Sequence, residues 1–202
     1  MTNAIMTYNQ EDGLKAGGGD YISEGGAYVV KILEAKFVKA KTGTSGIEFS
    51  LETKEGQKAN YITVYYVKPN GEAVQGGKSI LNAMMGITGV SGIGTAKAKG
   101  RDGSEIYICP ELTGKVIGMF LQKTLYTKNA GGDGYKFEVR VPFDASTSKT
   151  LREKISGDQP KTIENMTNSY KDKDERTQQA TSAPASNGFD LNGFDDDLPD
   201  FD

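Results

Sequence analysis

The chain has no histidine, no tryptophan and a single cysteine, Cys109. One cysteine excludes an internal disulfide, and the lack of histidine excludes a zinc site of Cys and His, which needs four such ligands. Cys109, set in Ile106-Tyr107-Ile108-Cys109-Pro110, reads as a small buried apolar residue rather than a reactive thiol. Long apolar runs are also missing. No stretch approaches the ~20 residues of a membrane span, and Met1-Thr2-Asn3-Ala4-Ile5-Met6 lacks the basic-then-apolar order of an export signal. A soluble cytoplasmic protein without a membrane partner is expected. Only 36% of the 202 residues are hydrophobic and 26 are glycine, so some segments cannot bury enough surface to offset the entropy of ordering them.

Positive charge is missing from one end. Residues 186–202 hold no Lys or Arg and six aspartates, whereas residues 21–145 carry 16 Lys and Arg against 12 Asp and Glu. A mildly basic body with a strongly acidic tail points toward nucleic acid as a partner of the body. The tail repeats Asn-Gly-Phe-Asp, at Asn187–Asp190 and Asn192–Asp195, and continues Asp196-Asp197-Leu198-Pro199-Asp200-Phe201-Asp202. Phe189, Phe194, Leu198, Pro199 and Phe201 among Asp195, Asp196 and Asp197 suit a basic partner groove with apolar pockets, because charge steers the encounter and the rings supply burial. A disordered recognition tail is expected there.

What the body does have is strand patterning. Residues 1–20 read as a flexible lead-in that finishes in three glycines. Tyr28 to Ala40 reads as a first strand, Ile47, Phe49 and Leu51 alternate with polar residues in a second, and Lys58 to Val67 makes a third. Ile80, Leu81, Met84 and Met85 then form a helical stripe that Gly86 stops, and Gly89 to Gly103 reads as a loop. Strands resume at Lys115 to Leu125 and Tyr135 to Val141. Three strands, a short helix and two strands predict a mainly β domain over residues 21–145, a five-stranded OB-fold barrel with one short helix between strands 3 and 4. Residues 146–185 read as a polar linker, in which Thr150-Leu151-Arg152-Glu153 is either a capping box opening a short helix or a chance match.

The third strand turns Tyr61 and Tyr65 away from Ile62 and Val64, between Lys58 and Lys68. Rings stack on unpaired bases without regard to sequence, and flanking cations track phosphates. Phe37 beside Lys39, Tyr126 between Lys123 and Lys128, and Lys136 with Arg140 repeat the combination. These ten residues (Phe37, Lys39, Lys58, Tyr61, Tyr65, Lys123, Tyr126, Lys128, Lys136 and Arg140) are the candidate single-stranded DNA contacts. No cofactor or catalytic residue is expected. Two other readings stay open. One is an adaptor that binds protein alone. The other is a nuclease using carboxylate-held metal at Glu34, Glu48 and Glu52. Gly77-Lys78-Ser79 does not complete a phosphate-binding loop, since Glu72 stands where the first glycine is required.

The ending Asp195-Asp196-Asp197-Leu198-Pro199-Asp200-Phe201 resembles the acidic, Pro-Phe-terminated tip of bacterial single-stranded DNA-binding proteins. Residues 25–145, through Gly43-Thr44-Ser45-Gly46-Ile47-Glu48 and Gly76 to Met85, are similar to bacteriophage proteins of that class. The resemblance implies an OB-fold that coats exposed strands during replication, recombination and repair in the host cytoplasm. It also implies a tip that docks on polymerase, helicase or primase; homo-oligomerisation is left open. Asp200 between Pro199 and Phe201, and Asp202 after it, depart from the bacterial tip.

Overall fold

The computed structural model describes residues 7–8, 21–100 and 103–176. Within it β1 (Gly26–Lys39), β2 (Ser45–Thr53) and β3 (Lys58–Val67) form an antiparallel meander. β2 buries Ile47, Phe49 and Leu51 completely and leaves Glu48, Ser50 and Glu52 half-buried on the other face, the outcome of period-2 alternation. Helix α1 (Gln75–Thr88) follows and buries Gly77, Leu81, Met84 and Ile87 along one face. It does not stop at Gly86. That residue lies inside the helix, where the missing side chain makes room for Leu151. The stop is Gly89, whose φ of 70° lets its N–H bond back to the Met85 carbonyl. Gly77 serves packing: a Cβ there would lie 1.7 Å from the Tyr65 carbonyl oxygen, so only glycine brings the helix this close to β3.

The expected loop from Gly89 to Gly103 instead contains β4 (Ala96–Lys99), which forms a hairpin with β5 (Glu105–Ile108). Its inner face is made partly of Ala96 and Ala98, too small to mark a strand in the sequence. β6 (Val116–Thr127) and β7 (Asp133–Phe143) form the other long hairpin. β1 is long enough to take two partners along one edge, with Gly26 to Lys31 pairing to β6 and Lys36 to β5. The result is a mainly antiparallel sheet of eight strands, ordered β3-β2-β1-β5-β4, with β6 branching from β1 and carrying β7. The predicted closed, five-stranded barrel is not formed. β3 and β7 face each other but share no ladder, and α1, drawn onto β3 at Gly77, packs against both strands. The main core lies inside this curved sheet, around Ile32, Phe49, Ile62, Met84, Ile117 and Leu121.

The stretch expected as a linker is folded as far as Arg176. Thr150 and Glu153 form a capping box that opens α2 (Leu151–Ser156), and α3 (Lys161–Ser169) and β8 (Lys173–Asp174) follow. Buried Glu153 also accepts the Lys161 and Thr162 N–H groups and the Thr162 hydroxyl at 2.7–3.0 Å, so one carboxylate joins two helix starts. Burial raises its pKa, but the hydrogen bonds from Thr150 and Thr162 outweigh this and hold it at about 2. Ile163 then packs on Phe120 and Phe143, with Met166 and Tyr170 beside it, as a second core on the outer face of β6 and β7. The acidic tail of residues 186–202 lies outside the described residues. Among the described residues no helix is long and apolar enough to cross a membrane.

Candidate nucleic-acid interface

The gap between β3 and β7 is a trough. Two adjoining cavities of about 500 and 480 Å³ share Tyr61, Lys136 and Phe137 as walls. One continues past Lys58, Tyr126, Tyr135 and Tyr21; the other runs toward Tyr65 and the start of α1.

Tyr61 stands where it does because β3 carries an extra residue. Phe49 of β2 faces Ile62 while Leu51 faces Ala59, so Asn60 and Tyr61 together oppose Ser50, a β-bulge. The bulge breaks the simple alternation expected for this strand, burying Ala59, Ile62 and Val64. It also places Tyr61 at φ 63°, a left-handed conformation costly for a residue with a Cβ. Tyr61 is 80% exposed. Such strain persists where the surroundings over-determine it and clusters at functional sites. Tyr65, four residues on, is 39% exposed on the same wall.

The opposite wall comes from the β6–β7 hairpin. Tyr135 is 45% exposed and meets Phe137 edge-on with ring centroids 5.5 Å apart. The Lys123 ammonium lies 5.3 Å from the Tyr135 ring centroid, within cation–π range. Lys123 also faces Glu24 at 3.4 Å and Asp172 at 3.7 Å. Lys136 is bonded to Glu138 at 3.1 Å and faces Glu175 at 3.7 Å; the Glu138 hydrogen bond, against a smaller burial cost, raises its pKa.

The fold thus brings Lys58, Tyr61, Tyr65, Tyr126 and Lys136 together along the trough, with Lys123 behind Tyr135. Lys128 sits at the β6–β7 turn next to Tyr126, both touching the space above Gly134. Three candidates fall elsewhere. Phe37 is partly buried against the main core, Lys39 ends β1 opposite Ser45, and Arg140 is exposed on β7 outside both cavities. Tyr21, Tyr135 and Phe137 line the trough, although the sequence pattern does not mark them as contacts. Tyr135 and Phe137 read as the apolar face of their strand, and their wall position depends on the unclosed sheet. Tyr21 follows the glycine-rich lead-in and joins the site only through its bridge to Lys58.

A third cavity, on the far side of Tyr61, contains Glu34 and Glu48. Lys36 lies between them and bonds Glu48 at 2.8 Å, raising the lysine pKa. Among the described residues no group of three or more Cys, Asp or Glu is placed to hold a metal ion. No family model and no curated protein matches this sequence.

Proposed function

We propose that the chain is a non-enzymatic, sequence-tolerant single-stranded DNA-binding protein. The observation that carries this reading is the trough, where exposed tyrosines on two facing walls alternate with Lys58 and Lys136. Stacking contributes ~1–3 kcal/mol per base and needs no particular base, while the lysines meet phosphates. A trough edged by rings suits separated bases, since in a duplex the base faces are already stacked on one another. The architecture is an OB-type arrangement left open between its third and fifth long strands, β3 and β7, with β4–β5 as an added hairpin. In this role the protein coats exposed strands during phage DNA replication, recombination and repair. Residues 186–202, with their phenylalanines among aspartates, recruit polymerase, helicase or primase.

The test is binding of labelled oligo-dT and of a duplex of equal length to the full chain over a salt series. Preference for the single strand, with affinity falling steeply as salt rises, is the expected result. Equal binding to both probes, or none at low salt, overturns the reading. One observation favours the protein-adaptor alternative: between Lys58 and Tyr66, and on β7 before Phe143, the facing edges carry no second ladder and offer backbone groups to an extended peptide. Replacing Tyr61 and Tyr65 by Ala separates the two, since an adaptor's behaviour toward DNA would not change.

A further inference from the structure

Past α3 the chain returns to the site. Tyr170 drops onto Phe120, with ring centroids 5.7 Å apart, into a notch that exists because residue 25 is glycine: a Cβ there would lie 1.6 Å from the Tyr170 hydroxyl oxygen. That hydroxyl donates to Asp172 at 2.7 Å and accepts the Lys123 backbone N–H at 3.0 Å. The Gln122 side chain donates to the Lys171 carbonyl at 2.9 Å. Lys173 and Asp174 pair with Thr124 and Leu125 of β6, and the Glu175 N–H reaches the Leu125 carbonyl at 2.9 Å. Residues 170–176 therefore form a strap along β6, behind the β6–β7 wall.

The strap carries Lys171, Lys173 and Arg176 as well as Asp172, Asp174 and Glu175, so its net charge explains nothing. Its arrangement does. Asp172 faces Lys123 and Glu175 faces Lys136, both at 3.7 Å, while the strap's own Lys173 bonds Glu175 at 2.5 Å. Arg176 is turned away from these lysines onto Asp133 and Asp174. Lys136, which lines the trough, and Lys123, behind Tyr135, thus each face a carboxylate of this one short segment, beside their shorter pairs with Glu138 and Glu24. The strap's pairs are long and part-exposed, hence weak and salt-sensitive, and a two-residue ladder opens at low cost.

We propose that this strap regulates the trough: its carboxylates, together with Glu24 and Glu138, hold Lys123 and Lys136 in the free protein, and the phosphates of a bound strand displace the strap's share of these contacts and release it. The inference rests on the DNA-binding reading above and deepens it. By linkage, whatever loosens the strap tightens DNA binding, and bound DNA loosens the strap.

Two measurements on the full chain test it. Gly25→Ala fills the notch and expels Tyr170 without changing charge, so oligo-dT should bind about two- to tenfold more tightly at low salt, the range set by freeing two part-exposed ion pairs. In the native chain, amide hydrogen exchange of residues 170–176, with the Glu175 N–H as reporter, should speed up on adding oligo-dT. If oligo-dT binds but the strap amides slow or stay unchanged, the strap does not compete and the proposal is overturned alone. It is likewise overturned alone if Gly25→Ala is folded and binds no more tightly. Absence of oligo-dT binding in every form overturns the parent reading and the proposal with it.

Discussion

On the β3 wall, Tyr61 and Tyr65 stand in solvent on a bulged edge strand, and among the described residues Lys58 makes no ion pair. On the β6–β7 wall, Tyr135 leans against Phe137, and Lys123 and Lys136 are engaged by carboxylates. The same residue types are held in two ways. The first wall is ready for a ligand at the cost of backbone strain at one residue. The second is satisfied internally and has contacts to give up before it can make new ones. On the DNA-binding reading proposed above, a strand entering such a trough would meet its cheapest stacking partners on β3 and only then compete for the lysines opposite.

The largest effect should come from removing the ready wall. Tyr61→Ala with Tyr65→Ala is expected to cost ~2–6 kcal/mol of oligo-dT affinity, the sum of two stacks. Tyr135→Ala should cost less than either, because its ring is already shared with Phe137 and the Lys123 ammonium. Titrations followed by tyrosine fluorescence quenching measure each loss. Equal losses from Tyr61 and Tyr135 would abolish the distinction between the walls.

A second prediction bears on what anchors the strap side. Glu153 sits well below the ordinary carboxyl value of 4.5, at about 2. A depressed folded-state pKa means its contribution is complete above about pH 4.5 and is lost as pH falls toward 2. Over that window the α2–α3 junction should loosen, and the strap with it, while β3 amides stay protected. Glu153→Gln should show the same loosening at neutral pH, at ~1–3 kcal/mol for bonds lost to a buried acceptor. Amide exchange resolved by residue checks both, and loosening of β3 before α2 would show that the strap side is not separately anchored.

Much of this frame was legible in the sequence, for physical reasons visible in single elements. β2 could be read because Ile47, Phe49 and Leu51 alternate strictly and all are buried. The middle of α1 could be read from its apolar stripe, Ile80 to Met85, but Gly86 misled. A glycine's role depends on what packs above it, here Leu151. The β4–β5 hairpin hid behind alanines. The folded segment up to Arg176 hid because it is anchored by few residues, among them Ile163 and Tyr170, whose partners Phe120 and Phe143 lie far away in sequence. At the site, the tyrosines of β3 announced themselves by pattern. The opposite wall did not, since it depends on the sheet remaining open and on acids dozens of residues further along the chain.

The smallest expected effect is the most specific to the β3 wall, because it separates strain from stacking. At Tyr61, φ is 63°, so Ala keeps the penalty of a Cβ in left-handed backbone whereas Gly removes it. Tyr61→Gly should therefore be more stable than Tyr61→Ala by about 1 kcal/mol, although both lose the same ring and the same DNA affinity. Tyr65 lies outside the left-handed region, and there the order should invert, with Gly the less stable by ~0.5–1 kcal/mol through its greater loss of chain entropy. Urea unfolding of the four variants gives the two differences directly. If Gly and Ala rank in the same order at both positions, the bulge at Tyr61 is not strained. The ring's exposure would then reflect ordinary strand alternation rather than a conformation held in place for a ligand.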